Sequence, residues 1–197
     1  MTTAITYGPD VPDENELRLC GDVEAKRVVE LGLNPGTNSV AFASRGAKAM
    51  AVDPSADRVA AARREAETND VRVEFHQGEL GDLGFATSAS VDLVFSSGAL
   101  AAVDDLSRVF RQVHRVLKPG AAFVFSMPHP ITAMLEGGEV VLRKPYWATG
   151  ARTASDVFMA LCRANFQVDV MLEPPPTGHT NALVPAALVI RSRKLGV

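Results

Sequence analysis

The fold is decided by the stretch RVVELGLNPGT, residues 27–37. It opens with an apolar run that ends at Gly32, as a buried β-strand does. Gly32 and Gly36 allow the backbone to turn tightly, and Thr37 or Asn38 can cap a helix that follows. A strand, a glycine-containing turn and a helix in this order predict the first unit of an α/β domain.

The same alternation continues along the chain. The predicted strands cover residues 27–32, 47–52, 71–75, 91–95, 121–127, 166–172 and 186–191. The predicted helices cover residues 37–45, 55–68, 104–117 and 155–163. Helices between strands are typical of a parallel sheet, whereas the last two strands have no helix between them and should pair antiparallel at one edge. We therefore predict a doubly wound, mostly parallel α/β fold of Rossmann-like type, with seven strands, an antiparallel edge strand and helices on both faces.

Two segments interrupt this alternation. Residues 1–26 are polar, acidic and broken by Pro9 and Pro12, and residues 128–152 show no regular pattern. We expect residues 1–26 to form an N-terminal cap on an α/β domain of residues 27–197. We expect residues 128–152 to be inserted in that domain as a lid.

Composition and charge exclude several classes of protein. Lys and Arg number 20 against 23 Asp and Glu, and this net charge of −3 gives no electrostatic footprint for a nucleic acid. Two cysteines, Cys20 and Cys162, are too few for a disulfide framework, and their spacing suggests no metal site. No apolar run is long enough to span a membrane, and residues 1–10 lack the pattern of a signal peptide. We expect a cytoplasmic chain that binds neither nucleic acid, membrane nor metal.

The ends of the first two strands carry the strongest signal for a ligand, because ligands of open α/β sheets bind beyond the carboxyl ends of the strands. Gly32 and Gly36 follow the first strand, and Asp53 follows the second, 21 positions after Gly32 by subtraction. A carboxylate at about this distance from a glycine turn can accept the hydroxyl protons of a ribose. The pattern predicts a cofactor that contains a nucleoside.

The glycine turn itself discriminates between such cofactors. The dinucleotide pattern G-x-G-x-x-G requires glycines where Asn34 and Thr37 stand, so a nicotinamide cofactor is disfavoured. Glu30 precedes the turn, where its charge would repel a pyrophosphate and favour a cation, such as an ammonium group beside a sulfonium.

With these motifs the chain resembles the class I S-adenosylmethionine-dependent methyltransferases that act on small molecules. The similar segments are residues 28–36, 52–55, 77–85, 91–97 and 116–120, in the order of the family's motifs. Glu79 stands where the family usually has Asp. The resemblance covers roughly residues 7–194. Each segment alone is weak evidence for the family, but five segments in the family's order are specific to it.

The resemblance implies how the first two motifs would hold S-adenosylmethionine. Glu30 would lie near the amino end of the cofactor. The backbone of Gly32, Asn34 and Gly36 would line the methionine part, and Asp53 would hold the ribose.

The remaining motifs are implied to surround the adenine. Pro54 would flank the ring, and Glu79 would meet its amino group. The backbone N–H of Leu80 would meet a ring nitrogen, and Ser96 would close the floor of the pocket.

For the acceptor, the sequence offers candidates rather than a motif. Methyl transfer is an in-line displacement for which the protein mainly supplies proximity, orientation and exclusion of water. His129 follows the fifth strand and is the candidate general base for acceptors that need one. Tyr7, Tyr146 and Trp147 lie in the two irregular segments and are candidates to cap the acceptor. We predict transfer of a methyl group from S-adenosylmethionine to a small-molecule acceptor.

Departures from the family pattern leave a second function open. Leu33 and Asn34 stand where the family usually has a small residue and a glycine, and Ala101 and Ala102 stand where it often has histidine. The alternative is a protein of this fold that binds S-adenosylmethionine or a partner without catalysis. Methylation of nucleic-acid bases is disfavoured, because residues 96–99 read SSGA in place of the Asn/Asp-Pro-Pro-aromatic motif.

Overall fold

A computed structural model of the chain describes residues 4–33, 37–134, 146, 150–178 and 184–196. The strands are β1 (Arg27–Leu31), β2 (Lys48–Asp53), β3 (Val73–Gln77), β4 (Val91–Ser97), β5 (Leu117–Pro128), β6 (Phe166–Leu172) and β7 (Ala187–Lys194). The helices are α1 (Glu14–Leu17), α2 (Asn38–Ser44), α3 (Ala56–Thr68), α4 (Leu106–Val116) and α5 (Ala154–Arg163). Two short 3₁₀ helices cover Ala99–Ala102 and Thr132–Met134.

All seven strands join one sheet, in the order β3-β2-β1-β4-β5-β7-β6. The pairs among β1 to β5 are parallel, and β7 runs antiparallel between β5 and β6. The predicted fold class is therefore confirmed. The strand order reverses between β1 and β4, which is where an open sheet of this kind leaves a crevice for a ligand.

Local sequence signals account for the helices that flank the site. The Ser55 hydroxyl accepts a hydrogen bond from the Arg58 backbone N–H at 3.3 Å, so Ser55 is the N-cap of α3 as expected. Asp105 caps α4 in the same way, accepting from the Arg108 N–H at 2.8 Å. The apolar residues that repeat at helical spacing on α4 are all buried.

Several strand boundaries differ from those predicted, among them those of β3, of β5 and of β7, which ends at Lys194 instead of residue 191. β3 begins two residues later than the prediction and ends at Gln77. β5 begins at Leu117, directly after α4, because Leu117 pairs with Val91 before the strand continues past Pro119. A register shift between Val91 and Leu93 accommodates this early start.

The core lies on both faces of the sheet. One apolar cluster packs α4 and α5 against one face, and two others pack α2, α3 and the N-terminal segment against the opposite face. Leu33 belongs to the cluster beneath α2 and α3 and is buried there with Val40 and Val59. Its side chain therefore points into the core and does not take space from a ligand above the sheet.

The N-terminal segment contributes directly to this core. Ile5, Tyr7, Val11, Leu19 and Val23 are buried in the apolar cluster that packs on the face covered by α2. The division into a cap and a domain stays a prediction, and most of the expected lid, residues 135–145 and 147–149, lies outside the described residues. Within the described part of the chain, no helix is long and apolar enough to cross a membrane.

Candidate active site

The crevice at the strand reversal is built by a close approach between the turn after β1 and the 3₁₀ helix after β4. Gly32 has a φ of +81°, and a Cβ atom placed on it would lie 2.1 Å from the Cβ of Ala99. Only glycine allows both this backbone conformation and this contact. The predicted requirement for glycine at position 32 therefore has a physical basis in the packing of Ala99 over the turn.

Asp53 lies at the end of β2 with its side chain almost completely buried. Its Oδ2 accepts the Leu33 N–H at 2.7 Å, and its Oδ1 accepts the Ser55 N–H at 2.7 Å and the Arg58 Nε–H at 2.9 Å. The first two bonds fix the carboxylate between the turn after β1 and the start of α3. An ionised carboxylate accepts about four hydrogen bonds, and the described residues fill three of these positions on Asp53, one of them on Oδ2.

The loop after β3 lies beside Asp53. The Gly78 N–H donates to the Asp53 backbone carbonyl at 3.1 Å, which brings Pro54 and Glu79 to the same edge of the sheet. Pro54 and Glu79 are both exposed, whereas the Leu80 side chain is buried. The structure thus brings together the residues that the sequence assigned to the ribose and the adenine.

Glu30 is fully buried beneath the first turn of α2. Its carboxylate oxygens accept the Asn38 N–H at 3.2 Å and the Ser39 N–H at 2.7 Å. Burial raises the pKa of Glu30 to about 7, against the lowering effect of these hydrogen bonds. Glu30 therefore anchors α2 to β1, and its carboxylate contacts this helix rather than open space above the sheet.

Ser96 is buried near the end of β4, and its hydroxyl donates to the Leu31 carbonyl at 2.8 Å. This bond ties β4 to the end of β1 directly beneath the crevice. Asn34 and Gly36, which were predicted to line the methionine part, lie outside the described residues.

In the structure, the candidate general base His129 has a partner on each of its ring nitrogens. His129 is buried, its Nδ1 accepts the Ile131 N–H at 3.2 Å, and its Nε2 lies 2.8 Å from the Glu173 Oε1. With Nδ1 occupied by a backbone donor, the neutral ring carries its proton on Nε2 and donates it to Glu173. Neither nitrogen is available to take a proton from an acceptor in this arrangement.

The three aromatic residues predicted to cap the acceptor lie in different surroundings. Tyr7 is buried among core residues, its hydroxyl donates to Glu14, and its ring packs against Phe95 with centroids 5.4 Å apart. It is therefore a core residue and not a cap over an acceptor. The Tyr146 hydroxyl accepts the Ala154 N–H at 3.1 Å at the start of α5, while Trp147 lies outside the described residues.

A cleft of about 580 Å³ opens beyond the ends of β4 and β5. It is lined by residues 101–104, 127–129 and 150–152. Arg152 holds two of these walls together, because its guanidinium donates to the backbone carbonyls of Val103 and Asp104. Ala101 and Ala102 line the cleft with small side chains, so the departure from histidine at these positions leaves room for an acceptor.

Sequence reasoning missed three residues of this region, namely Arg58, Arg152 and Glu173. Glu173 directly follows β6, so the rule that drew attention to Asp53 also applied to it. Arg58 lies in the first turn of α3, and its contact with Asp53 depends on the geometry of that helix, which the sequence does not show directly. Arg152 has no local signal, because its partners are 49 and 48 residues away in the chain.

The residues around the crevice fit a nucleoside that carries a positive charge. Asp53 provides a carboxylate on which the described residues fill three of about four acceptor positions, and Glu79 adds an exposed carboxylate at the same edge. The close contact between Gly32 and Ala99 brings the turn after β1 to the strand reversal, where the cofactor would cross from β2 toward the cleft. Negative charge on this side of the sheet favours a cationic ligand over a pyrophosphate.

Comparisons with known proteins agree with this description. A family model described as "Methyltransferase domain" matches residues 29–125. A crystal structure of an S-adenosylmethionine dependent methyltransferase from Mesorhizobium loti has a TM-score of 0.72 and 27% sequence identity, covering 88% of this chain and 93% of that one.

Two curated relatives are also similar. A ubiquinone biosynthesis O-methyltransferase of Sodalis glossinidius is 29% identical over 131 residues, covering 64% of this chain and 53% of that protein. A demethylmenaquinone methyltransferase of Clavibacter sepedonicus is 33% identical over 129 residues, covering 64% of this chain and 51% of that protein. The chain therefore spans about half the length of the curated relatives it matches.

Proposed function

We propose that the chain transfers a methyl group from S-adenosylmethionine to a small-molecule acceptor, because residues 29–125 match a methyltransferase domain and the fold is similar to that of a solved S-adenosylmethionine dependent methyltransferase. The observation that carries this proposal is the buried carboxylate of Asp53, held by two backbone N–H groups at the strand reversal. Such a fixed carboxylate is suited to bind the hydroxyl groups of a ribose. The cysteine content supports a cytoplasmic location.

The chain's own residues would act mainly by orienting the reactants. S-adenosylmethionine, when bound, would supply a methyl group on a positively charged sulfur. The sulfur is the leaving group when an acceptor nucleophile takes the methyl group in line. Asp53 fixes the sugar, and the contact of Gly32 with Ala99 fixes the turn that faces the methionine part. Holding the two reactants in line accounts for much of the acceleration of a displacement whose leaving group is already activated.

The cleft at the ends of β4 and β5 would take the acceptor. Arg152 connects the segment after the 3₁₀ helix to the segment before α5, and His129 connects the end of β5 to Glu173. These bonds hold the walls of the cleft in place. Since His129 uses both ring nitrogens, the proposal assigns it the positioning of Glu173 and the cleft wall, and no proton transfer.

The test compares the binding of S-adenosylhomocysteine, the reaction product, to the wild type and to Asp53→Asn. The loss of charge-assisted hydrogen bonds to the ribose should cost about 1–3 kcal/mol, which weakens binding by about fivefold to 150-fold. Isothermal titration calorimetry measures this change. Asp57→Asn is the matched control, because Asp57 is exposed in the first turn of α3, four residues after Asp53, and its variant should bind like the wild type.

Turnover is then measured with S-adenosylmethionine labelled in its methyl group and a panel of phenolic, carboxylic, amine and thiol acceptors. Transfer of label to any acceptor supports the proposal. Binding that depends on Asp53 without transfer to any acceptor would favour the alternative, a binding protein of the same fold. Equal affinity of the wild type and Asp53→Asn would reject the assigned site.

A further inference from the structure

A second concave surface lies at the opposite end of the sheet from the crevice. The connection between β3 and β4, residues 78–90, contains no helix, and α2 and α3 are the helices that pack on β2 and β3. The other face of β2 and β3 is therefore left open near their amino ends. A trough of about 850 Å³ lies there, lined by residues 27, 47–50, 63 and 72–75.

Three cationic side chains stand in register across the floor of this trough. Arg27 on β1 is the direct partner of Lys48 on β2. Arg72 immediately precedes β3, and the pairing of Ala49 with Val73 places Arg72 opposite Lys48. Residues in register on neighbouring parallel strands point to the same face, and strands are about 4.8 Å apart, so the three residues form a row about 10 Å long.

The charged groups of this row have no partner within the part of the chain that the structure describes. Among the described residues, the side chains of Arg27, Lys48 and Arg72 make no hydrogen bond or ion pair. Glu74 is the carboxylate that lines the trough, and it contacts the His76 Nε2 at 2.9 Å instead of a cation of the row.

A fourth cation reaches the trough from the edge of the sheet. Arg63 on α3 donates to the Phe75 carbonyl at 3.1 Å, and its guanidinium lies 5.9 Å from the centre of the Phe75 ring. The trough thus holds four cations and one carboxylate in a chain whose net charge is −3. Like charges placed opposite each other on neighbouring strands repel, so an anion bound in the trough would relieve a destabilising arrangement.

We propose that the trough is a binding site for a multiply charged oxyanion of the oligophosphate class. Three of its four cations are arginines, whose planar guanidinium groups bind phosphate oxygens in pairs. A row of about 10 Å suits an anion with several charges in line better than a single phosphate. Lys48 in the trough and Asp53 at the crevice are about 16 Å apart along β2, given a rise of about 3.3 Å per residue, so the two sites do not overlap.

The test is calorimetric titration with inorganic tripolyphosphate at low ionic strength. The variant Lys48→Gln/Arg72→Gln should lose affinity by tenfold or more, which is the effect of removing charge-assisted hydrogen bonds. The matched control is Arg64→Gln/Arg111→Gln, which removes the same charge from exposed residues outside the trough and should bind like the wild type. Tripolyphosphate should also raise the Tm of the wild type but not that of the trough variant.

Each outcome decides the proposal. Retained S-adenosylhomocysteine binding and an unchanged circular dichroism spectrum establish that the trough variant is folded. Orthophosphate should bind more weakly than tripolyphosphate. Equal loss of affinity in both double variants, tighter binding of hexaglutamate or of an RNA oligonucleotide than of tripolyphosphate, or no heat with tripolyphosphate would each overturn the assignment.

Discussion

Arg58 competes with a ribose for the carboxylate of Asp53. Two hydroxyl groups need two acceptor positions, whereas Leu33, Ser55 and Arg58 already use three of about four. The backbone donors are fixed, but the Arg58 side chain is 52% exposed and free to move away. Binding of the cofactor should therefore require Arg58 to release Asp53.

We expect Arg58→Ala to bind S-adenosylhomocysteine more tightly than the wild type. Since an exposed ion pair contributes about 0.2–1 kcal/mol, the gain should be at most about fivefold. Calorimetry at low and high salt gives a second criterion. Because salt screens the Arg58–Asp53 ion pair, the affinities of the wild type and of Arg58→Ala for S-adenosylhomocysteine should differ less at high salt. Weaker binding by the variant would mean that Arg58 helps to hold the ligand.

How much of the site the sequence could predict depends on where each residue's partner lies. Asp53 is predictable because its place at a strand end and its spacing from Gly32 are both visible in the sequence. That both ring nitrogens of His129 are hydrogen-bonded is not predictable, because one of the bonds joins it to Glu173, 44 residues away. The burial of Tyr7 likewise depends on Glu14 and Phe95, which only the folded chain brings to it.

A buried carboxylate, that of Glu30, bonds the first turn of α2 to β1. Burial raises the pKa of Glu30 from 4.5 to about 7, so between these values the folded state holds a proton that the unfolded state releases. The contribution of this proton to stability is therefore complete below about pH 4.5 and is lost as the pH rises through 7. A shift of this size corresponds to a loss on the order of 3 kcal/mol.

We expect Glu30→Gln to abolish this part of the pH dependence. The free energy of unfolding, measured by urea denaturation between about pH 5 and 8.5, should fall with pH in the wild type and stay nearly level in the variant. Glu67→Gln is the control, because Glu67 is exposed on α3 and its variant should follow the wild type. Parallel curves for the wild type and Glu30→Gln would show that Glu30 titrates as an ordinary carboxyl.

The elements themselves are largely predictable, because their signals are local. The buried positions of α4 repeat at helical spacing, and Ser55 and Asp105 are caps that the sequence displays. The sequence places the start of β5 too late, because Pro119 predicts a break between helix and strand. Pairing of Leu117 with Val91 outweighs this local signal, and such long-range pairing has no signature in a short window.

For the whole molecule, the N-terminal segment connects the start of α2 with the end of β5. The Asn38 side chain exchanges two hydrogen bonds with the backbone of Thr6, which ties the segment to the start of α2. The Ser126 hydroxyl donates to the Tyr7 carbonyl, which ties it to the end of β5. The segment therefore crosses the same edge of the sheet that carries the crevice, and loss of it should affect folding and ligand binding together.

Removal of residues 1–24 should abolish cooperative folding. Five apolar side chains of this segment are buried, and each contributes about 1.5–3 kcal/mol, so together they contribute about 10 kcal/mol. Since the total stability of a domain is about 5–15 kcal/mol, the truncated chain should show no sharp urea transition by circular dichroism. Full-length Tyr7→Phe, which keeps the ring but loses the bond to Glu14, should lose only about 1 kcal/mol and keep its transition. A cooperative transition in the truncated chain would instead mean that residues 25–197 fold alone and that the segment is a separable cap.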